Sequence, residues 1–243
     1  MIPSLLILAA ELIGLWLLSR RMTQNIYISL FLLTKSRPGA VSFLSVLFFP
    51  GTVIHELAHL FTAEILGVKT SGLTLVPEGL ENKEVRTGSV SIAQSDPIRR
   101  AVIGIAPIFV GLAALAGISY FLTAELSGVP LFGALEQYNN VPIVTIILGY
   151  LLFAVSNTMF SSPEDMDGFL PVAVVVALVA TALYVVGIRI SLTDPVLMNL
   201  QDFFTAMATN IGWVVGLNVL IFFLSKLLII GVEKVTKRRL VTQ

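Results

Sequence analysis

The chain has 243 residues, of which 56% are hydrophobic and only 12% are charged, whereas a soluble domain typically has about 25% charged residues. Its formal net charge is zero and its 15 basic residues fall in short clusters, so no continuous basic surface is available to bind nucleic acid. It has no cysteine, which excludes disulfides, a thiolate metal site and a cysteine nucleophile. The composition predicts an integral membrane protein whose surroundings are the lipid bilayer. The sequence does not indicate the oligomeric state.

Six apolar stretches are long enough to predict membrane-spanning helices, because about 20 residues are needed to cross a bilayer. They cover residues 2–19, 40–67, 101–123, 141–160, 169–188 and 203–225. The first ends at Arg20 and Arg21, and residues 25–33 form a shorter apolar segment that is predicted to lie in the interface or re-enter the membrane. The expected fold is therefore an α-helical polytopic membrane protein with about six transmembrane helices. We expect a multi-pass protein of the cell membrane.

Residues 68–97 differ in composition from the rest of the chain, since they carry seven charged residues. Within them, residues 72–76 and 88–92 are short and β-prone, and a polar turn separates them, which predicts a small β-hairpin between the second and third helices. The distribution of Lys and Arg favours a cytoplasmic N-terminus and a cytoplasmic basic tail, residues 233–243, at the lipid surface. An extra pass by residues 25–33 would reverse this orientation.

His55-Glu56-Leu57-Ala58-His59 is an H-E-x-x-H motif within the second predicted helix. Residues four apart lie on the same face of a helix, so both imidazoles can bind one metal ion while Glu56 approaches the water beside it. These are the only two histidines in the chain, and ionisable residues inside a membrane are costly unless they are paired or functional. The motif predicts a zinc site with Glu56 as general base.

A catalytic zinc ion usually has three protein ligands, and without a further His or Cys the third must be a carboxylate. Glu64 would point away from the histidines on the same helix, while Glu11, within the first span, remains possible. The better candidates lie in residues 157–168, a polar break between two apolar helices that contains Asp165 and Asp167. Irregular backbone at membrane depth is tolerated where it is buried in protein or lines a wet cavity. The same residues are also compatible with an ordinary polar turn.

These features resemble the site-2 protease family of intramembrane zinc metalloproteases. The resemblance covers roughly residues 41–168 and rests on the H-E-x-x-H helix, on Ala106-Pro107 in the intervening helix and on Asn157, which opens the ligand segment. It implies Zn²⁺ held by His55, His59 and an aspartate. The family's spacing of eight residues from Asn to Asp selects Asp165, whereas Met166-Asp167-Gly168 is similar to the family's Leu-Asp-Gly and selects Asp167. We favour Asp165.

The resemblance further implies that Asn157 positions the substrate strand or the ligand loop. Phe160 stands where the family has proline, and the chain has no room for a PDZ domain. The expected organisation is an N-terminal region of residues 1–40, a metalloprotease core of residues 41–168 and a C-terminal helical region of residues 169–243. The predicted hairpin could hold an unwound substrate by strand addition.

The expected function is hydrolysis of peptide bonds in or near transmembrane segments of a substrate protein. Two other functions are compatible with the same residues: a membrane transporter for a metal ion or protons, and a catalytically inactive scaffold of the same fold. Transporters commonly have paired halves, and the sequence has no internal repeat. A zinc site needs no residue at the position of Glu56, so its presence speaks against an inactive scaffold.

Overall fold

Six helices and one two-stranded sheet form the described part of the chain, which in this computed structural model comprises residues 2–75, 88–126, 141–160, 165, 169–187 and 194–236. The elements in chain order are α1 (Ile2–Thr34), α2 (Arg37–Ile65), β1 (Thr70–Thr74), β2 (Ser89–Ile92), α3 (Pro97–Leu126), α4 (Val141–Thr158), α5 (Phe169–Val185) and α6 (Asp194–Thr236). The predicted helical class with a small sheet is therefore confirmed.

Four of the helices are long and apolar enough to cross a membrane, namely α1, α2, α3 and α6. The other two, α4 and α5, have 18 and 17 residues and are shorter than a typical span of about 20 residues. Many large apolar side chains point outward, such as Leu178 on α5, which is 65% exposed, and Trp213 on α6, which is 78% exposed. Such surfaces are suited to contact with lipid. An integral membrane protein is compatible with this architecture.

Helix α1 differs from the sequence prediction, because it continues without a break through Arg20 and Arg21 into the segment that was expected to lie separately in the interface. Both arginines are exposed, and the Arg20 guanidinium lies 5.0 Å from the centre of the Trp16 ring. Charged side chains end a membrane-buried stretch, but on an exposed helix face they do not end a helix. Only the connection at Lys35 and Ser36 separates α1 from α2.

The start of α2 has the usual helix-initiation signals. The Ser36 side chain accepts a hydrogen bond from the Gly39 backbone N–H at 3.2 Å, and Pro38 occupies the first turn. Pro50 lies inside the helix and cannot donate a backbone hydrogen bond to the preceding turn. The helix nevertheless continues past Pro50 and carries the H-E-x-x-H motif in its second half.

Helices α2, α3 and α4 pack together, and α1 with α6 forms a second pair against them. The main core contains Leu15 of α1, Leu115 of α3, Val155 of α4 and Ile211 of α6. The main core is therefore built by helices from the N-terminal, central and C-terminal parts of the chain.

Helices α1 and α6 run parallel to each other. Ser4 is hydrogen-bonded to Thr205 at the start of the pair, and Asn25 to Ser225 near its end. Six helices that crossed a membrane in strict alternation would make α1 and α6 antiparallel. Their parallel packing differs from the alternation on which the sequence-based orientation depended.

Strands β1 and β2 pair antiparallel, with Leu73 opposite Val90 and Thr74 opposite Ser89. The register is irregular between Thr70 and Leu73, where Gly72 has a φ of 83° that favours glycine. The sheet lies against α2, which brings the beginning of β2 next to the H-E-x-x-H motif. The turn expected between the strands, residues 77–87, lies outside the described residues, as does residue 76 at the end of the first predicted strand.

Candidate metal centre

Helix α2 directs both histidines of the motif to one point. The Nε2 atoms of His55 and His59 are 3.2 Å apart, and the two rings meet nearly edge to face. Their side chains are only 10% and 5% exposed. The spacing of four residues therefore produces the shared face that the sequence predicted.

Asp165, which follows α4, joins this pair from a different part of the chain. Its Oδ1 atom is 3.5 Å from Nε2 of His59, and its Oδ2 atom is 3.8 Å from Nε2 of His55. One potential ligand atom from each of the three residues lies within 4.8 Å of the others. The three side chains form a group that could hold a metal ion. Asp167, the alternative third ligand, lies outside the described residues.

A backbone carbonyl of α3 fixes the orientation of one imidazole. Nδ1 of His59 is 2.9 Å from the carbonyl oxygen of Ile103, and a carbonyl can only accept, so Nδ1 is the donor. In the neutral ring, Nε2 then carries a lone pair that faces Asp165 Oδ1. A lone pair facing a carboxylate is unfavourable without a positive charge between them. This arrangement of a ligating histidine bonded to a carbonyl is common at metal sites.

The distances within the group are of the size found between neighbouring ligand atoms of a metal site. In a tetrahedral site with bonds of about 2.0–2.1 Å, neighbouring ligand atoms are roughly 3.3 Å apart. The two Nε2 atoms are 3.2 Å apart and Oδ1 of Asp165 is 3.5 Å from Nε2 of His59, both close to that value, while one ligand atom from each of the three residues lies within 4.8 Å of the others. Two imidazoles and one carboxylate are a ligand set found at catalytic zinc sites, where a fourth position stays open. The residues present therefore fit such an ion.

Glu56 lies on α2 between the two histidines and is 7% exposed. Its side chain contacts Gly88, the residue before β2, so closely that a Cβ added there would be 3.0 Å from both Cγ and Oε1 of Glu56 and 2.9 Å from Cγ2 of Thr52. Glycine is therefore the residue that lets the start of β2 approach the motif. The carboxylate is held between the helix and the sheet.

Three glycines on α2 and α3 make close contacts with the end of α4 and with Asp165. A Cβ at Gly104 of α3 would collide with the backbone carbonyl of Asp165, and one at Gly111 would collide with the side chain of Met159. A Cβ at Gly51 of α2 would likewise meet Thr158 at the end of α4. Three glycines on α2 and α3 thus allow α4 and Asp165 to approach the histidines.

Asn157 lies elsewhere, at a junction of α1, α4 and α6. Its Nδ2 donates to Oδ1 of Asn218 at 2.7 Å, and its backbone carbonyl accepts a hydrogen bond from Ser19 at 2.9 Å. Within the described part of the chain, the side-chain hydrogen bonds of Asn157 go to α4 and α6 rather than to the metal-ligand group. That Asn157 positions the substrate strand or the ligand loop stays a prediction.

Two other carboxylates considered from the sequence, Glu11 and Glu64, lie in the described part of the chain and are not in the group. Glu64 is exposed near the end of α2, and Glu11 of α1 lies against Gly212 of α6. Sequence reasoning missed Asn218, the Ile103 carbonyl, Gly88 and Gly104. A backbone carbonyl leaves no signal in a sequence, and the glycines matter only because of what packs against them. A polar residue in an apolar helix was the one available sign of Asn218.

Comparisons of the chain with protein-family models, with curated proteins and with solved structures find no match. The functional argument for this chain therefore depends on its own residues and geometry.

Proposed function

We propose that the protein is an intramembrane zinc metalloprotease that hydrolyses peptide bonds within or near transmembrane segments of other proteins. The observation that carries the proposal is the meeting of Asp165 with His55 and His59. The H-E-x-x-H motif supplies two neutral nitrogen donors and a carboxylate base, and Asp165 supplies the third donor that such a site requires. The chain's own residues thus provide every protein group needed for metal-assisted hydrolysis.

His55, His59 and Asp165 would hold the ion. The carbonyl of Ile103 accepts a hydrogen bond from Nδ1 of His59, which would leave Nε2 free of a proton and available to the ion. A zinc ion held there supplies Lewis acidity and lowers the pKa of water to about 7. Imidazole and carboxylate donors suit zinc, and the absence of cysteine in the chain excludes a thiolate ligand.

Glu56 is the proposed general base. Its neighbours on the helix are the proposed metal ligands, and its buried position limits its contact with bulk water. It would take a proton from the attacking water and deliver that proton to the leaving amine nitrogen, so no covalent intermediate with the enzyme is needed. Because Glu56 is not among the three ligands, its presence is best explained by this proton transfer.

The substrate segment would bind in an extended form beside β2. A transmembrane helix keeps its carbonyls in internal hydrogen bonds, so it must be unwound before hydrolysis. Strand β2 begins where Gly88 contacts Glu56, and a strand edge can bind an extended backbone by strand addition. The sheet therefore offers a place to hold the unwound substrate close to the proposed base.

The proposal is tested with full-length protein purified in detergent, comparing wild type with Glu56→Gln. We expect about one zinc ion per chain in both proteins, and cleavage of a panel of single-span substrates by wild type only. Loss of a general base lowers the rate typically by a factor of about 10² to 10⁴. Glu64→Gln is the matched control, because Glu64 lies on the same helix but is exposed.

Removal of zinc with a chelator should stop cleavage and its readdition should restore it. Cleavage at the wild-type rate by Glu56→Gln would refute the role of Glu56. Wild-type protein that binds no zinc would refute the metalloprotease.

A further inference from the structure

A buried polar junction lies beside the end of α4, separate from the metal-ligand group. Asn218 of α6 and Ser156 of α4 are both completely buried, and Ser19 of α1 is 6% exposed. Asn218 donates to Oγ of Ser156 at 2.9 Å and accepts from Nδ2 of Asn157 at 2.7 Å. The junction thus connects three helices through hydrogen bonds between side chains that are buried from water.

Backbone carbonyls determine the orientation of both amides in the junction. Nδ2 of Asn218 also donates to the carbonyl of Val214 at 2.9 Å, and Nδ2 of Asn157 also donates to the carbonyl of Phe153 at 2.7 Å. Carbonyls cannot donate, so neither amide can be reversed without losing a bond. Oδ1 of Asn218 is therefore the atom that faces Asn157.

The junction holds the last turn of α4. The final carbonyls of a helix have no partner within the helix, and here Ser19 donates to the carbonyl of Asn157 at 2.9 Å. Helix α4 ends at Thr158, and Asp165 follows after only a short segment. On its other side, the Asp165 backbone rests against Gly104 of α3. Asp165 thus rests on α3 and follows the hydrogen-bonded end of α4 in the chain.

We propose that Asn218 is a positioning residue for the metal centre: by holding the last turn of α4, it sets where the third ligand, Asp165, lies. This inference rests on the metal site of the proposed function. In the described part of the chain, the side-chain hydrogen bonds of Asn218 go to α4 and α6 and not to the proposed metal ligands, so it would act through Asn157 and Ser156. Replacing it removes a hydrogen-bond acceptor and two donors at a position that water does not reach.

The experiment is a Co²⁺ titration of the full chain in detergent, followed by visible absorption, which reports both affinity and the arrangement of the ligands. Asn218→Leu keeps the side-chain size and removes all three hydrogen bonds. Ser225→Ala is the matched control, because Ser225 also joins α6 to α1, through Asn25 at 3.5 Å, without bonding to α4. Thermal stability of the metal-free proteins is measured on the same samples.

We expect Asn218→Leu to bind Co²⁺ roughly 10- to 100-fold more weakly, the usual cost of losing a residue that orients a ligand. Its absorption bands should also change, whereas Ser225→Ala should match the wild type in both respects. A purely structural role would lower thermal stability and leave the bands unchanged. Wild-type affinity and bands in Asn218→Leu would overturn the proposal.

Ser19→Ala provides a second variant, since it removes the hydroxyl that bonds to the carbonyl of Asn157. We expect Ser19→Ala also to bind Co²⁺ more weakly and with changed absorption bands. If Asn218→Leu does not fold, wild-type Co²⁺ binding by Ser19→Ala overturns the proposal. Wild-type protein that binds no Co²⁺ refutes the metal centre and this inference with it. Binding of Co²⁺ without any proteolysis refutes the protease alone, and the titration still decides the role of Asn218.

Discussion

Asp165 is the residue on which the metal centre most depends, because it is the ligand that the H-E-x-x-H motif does not supply. The relevant perturbation is Asp165→Ala, with Asp167→Ala as the comparison. Alanine retains the Cβ and the backbone carbonyl that packs on Gly104, so this contact is kept while both carboxylate oxygens are lost. The oxygens now lie 3.5 and 3.8 Å from the two Nε2 atoms, where one of them can share an ion with both imidazoles.

The expected loss of affinity follows from the number of ligands. Four-ligand zinc sites bind with about 10–16 kcal/mol, or roughly 2.5–4 kcal/mol for each ligand. Since about 1.4 kcal/mol corresponds to a factor of ten, removing Asp165 should weaken zinc binding by about 10² to 10³. Asp167→Ala should leave the affinity at the wild-type value.

The assay is competition for Zn²⁺ between the purified protein and a coloured chelator in detergent. A large loss for Asp167→Ala with wild-type affinity for Asp165→Ala would transfer the ligand role to Asp167 and refute our reasoning. Wild-type affinity in both variants would refute an aspartate ligand from this segment.

Three further predictions test the packing around the site. Gly104→Ala should lower the free energy of unfolding by about 1–3 kcal/mol and weaken zinc binding, because the new Cβ displaces the backbone of Asp165. The control is Gly117→Ala on the same helix, which has open space around it and should be neutral or stabilising in thermal unfolding. Tyr150→Phe removes a 2.9 Å hydrogen bond to a carbonyl of α2 and should lower the free energy of unfolding by about 0.6–1.7 kcal/mol. The zinc affinity should stay unchanged, and a change in it would contradict the prediction. The chain lacks cysteine, so Ser4→Cys at the start of α1 and Lys234→Cys near the end of α6 can each be labelled alone in sealed vesicles. If both helices cross the membrane in parallel, the two cysteines lie on opposite sides of it. Labelling of both from the same side would exclude parallel crossings.

The part of the site that depends on local spacing could be predicted from the sequence. His55, Glu56 and His59 lie within one helical turn, so the helix alone determines which of them share a face. Asp165 was selected by resemblance, and the structure brings its side chain to the histidines. The Ile103 carbonyl could not be foreseen, since any residue supplies one and only packing decides which is used.

The arrangement of the helices was harder to predict. Arg20 and Arg21 indicated the end of a span, but the helix continues because both side chains lie on its exposed face. The parallel packing of α1 and α6 depends on contacts such as Ser4 with Thr205, between residues far apart in the chain. Hydropathy gives the number and length of apolar stretches and contains no information on which of them pack side by side.

The polar junction illustrates the same limit. The family resemblance predicts a role for Asn157, whereas its partner Asn218 lies in an apolar helix far along the chain, with no motif around it. A single buried amide has meaning only through the atoms it bonds to. The pairing became evident once both amides and their carbonyl partners could be located.

X-ray absorption spectroscopy at the zinc edge of the purified full-length protein tests the metal centre most directly. The account predicts about one zinc ion per chain, bound by nitrogen and oxygen atoms alone, with the scattering pattern of two imidazoles that falls to one in His55→Ala. A chain that retains no zinc, or a spectrum that is the same in wild type and His55→Ala, would contradict it.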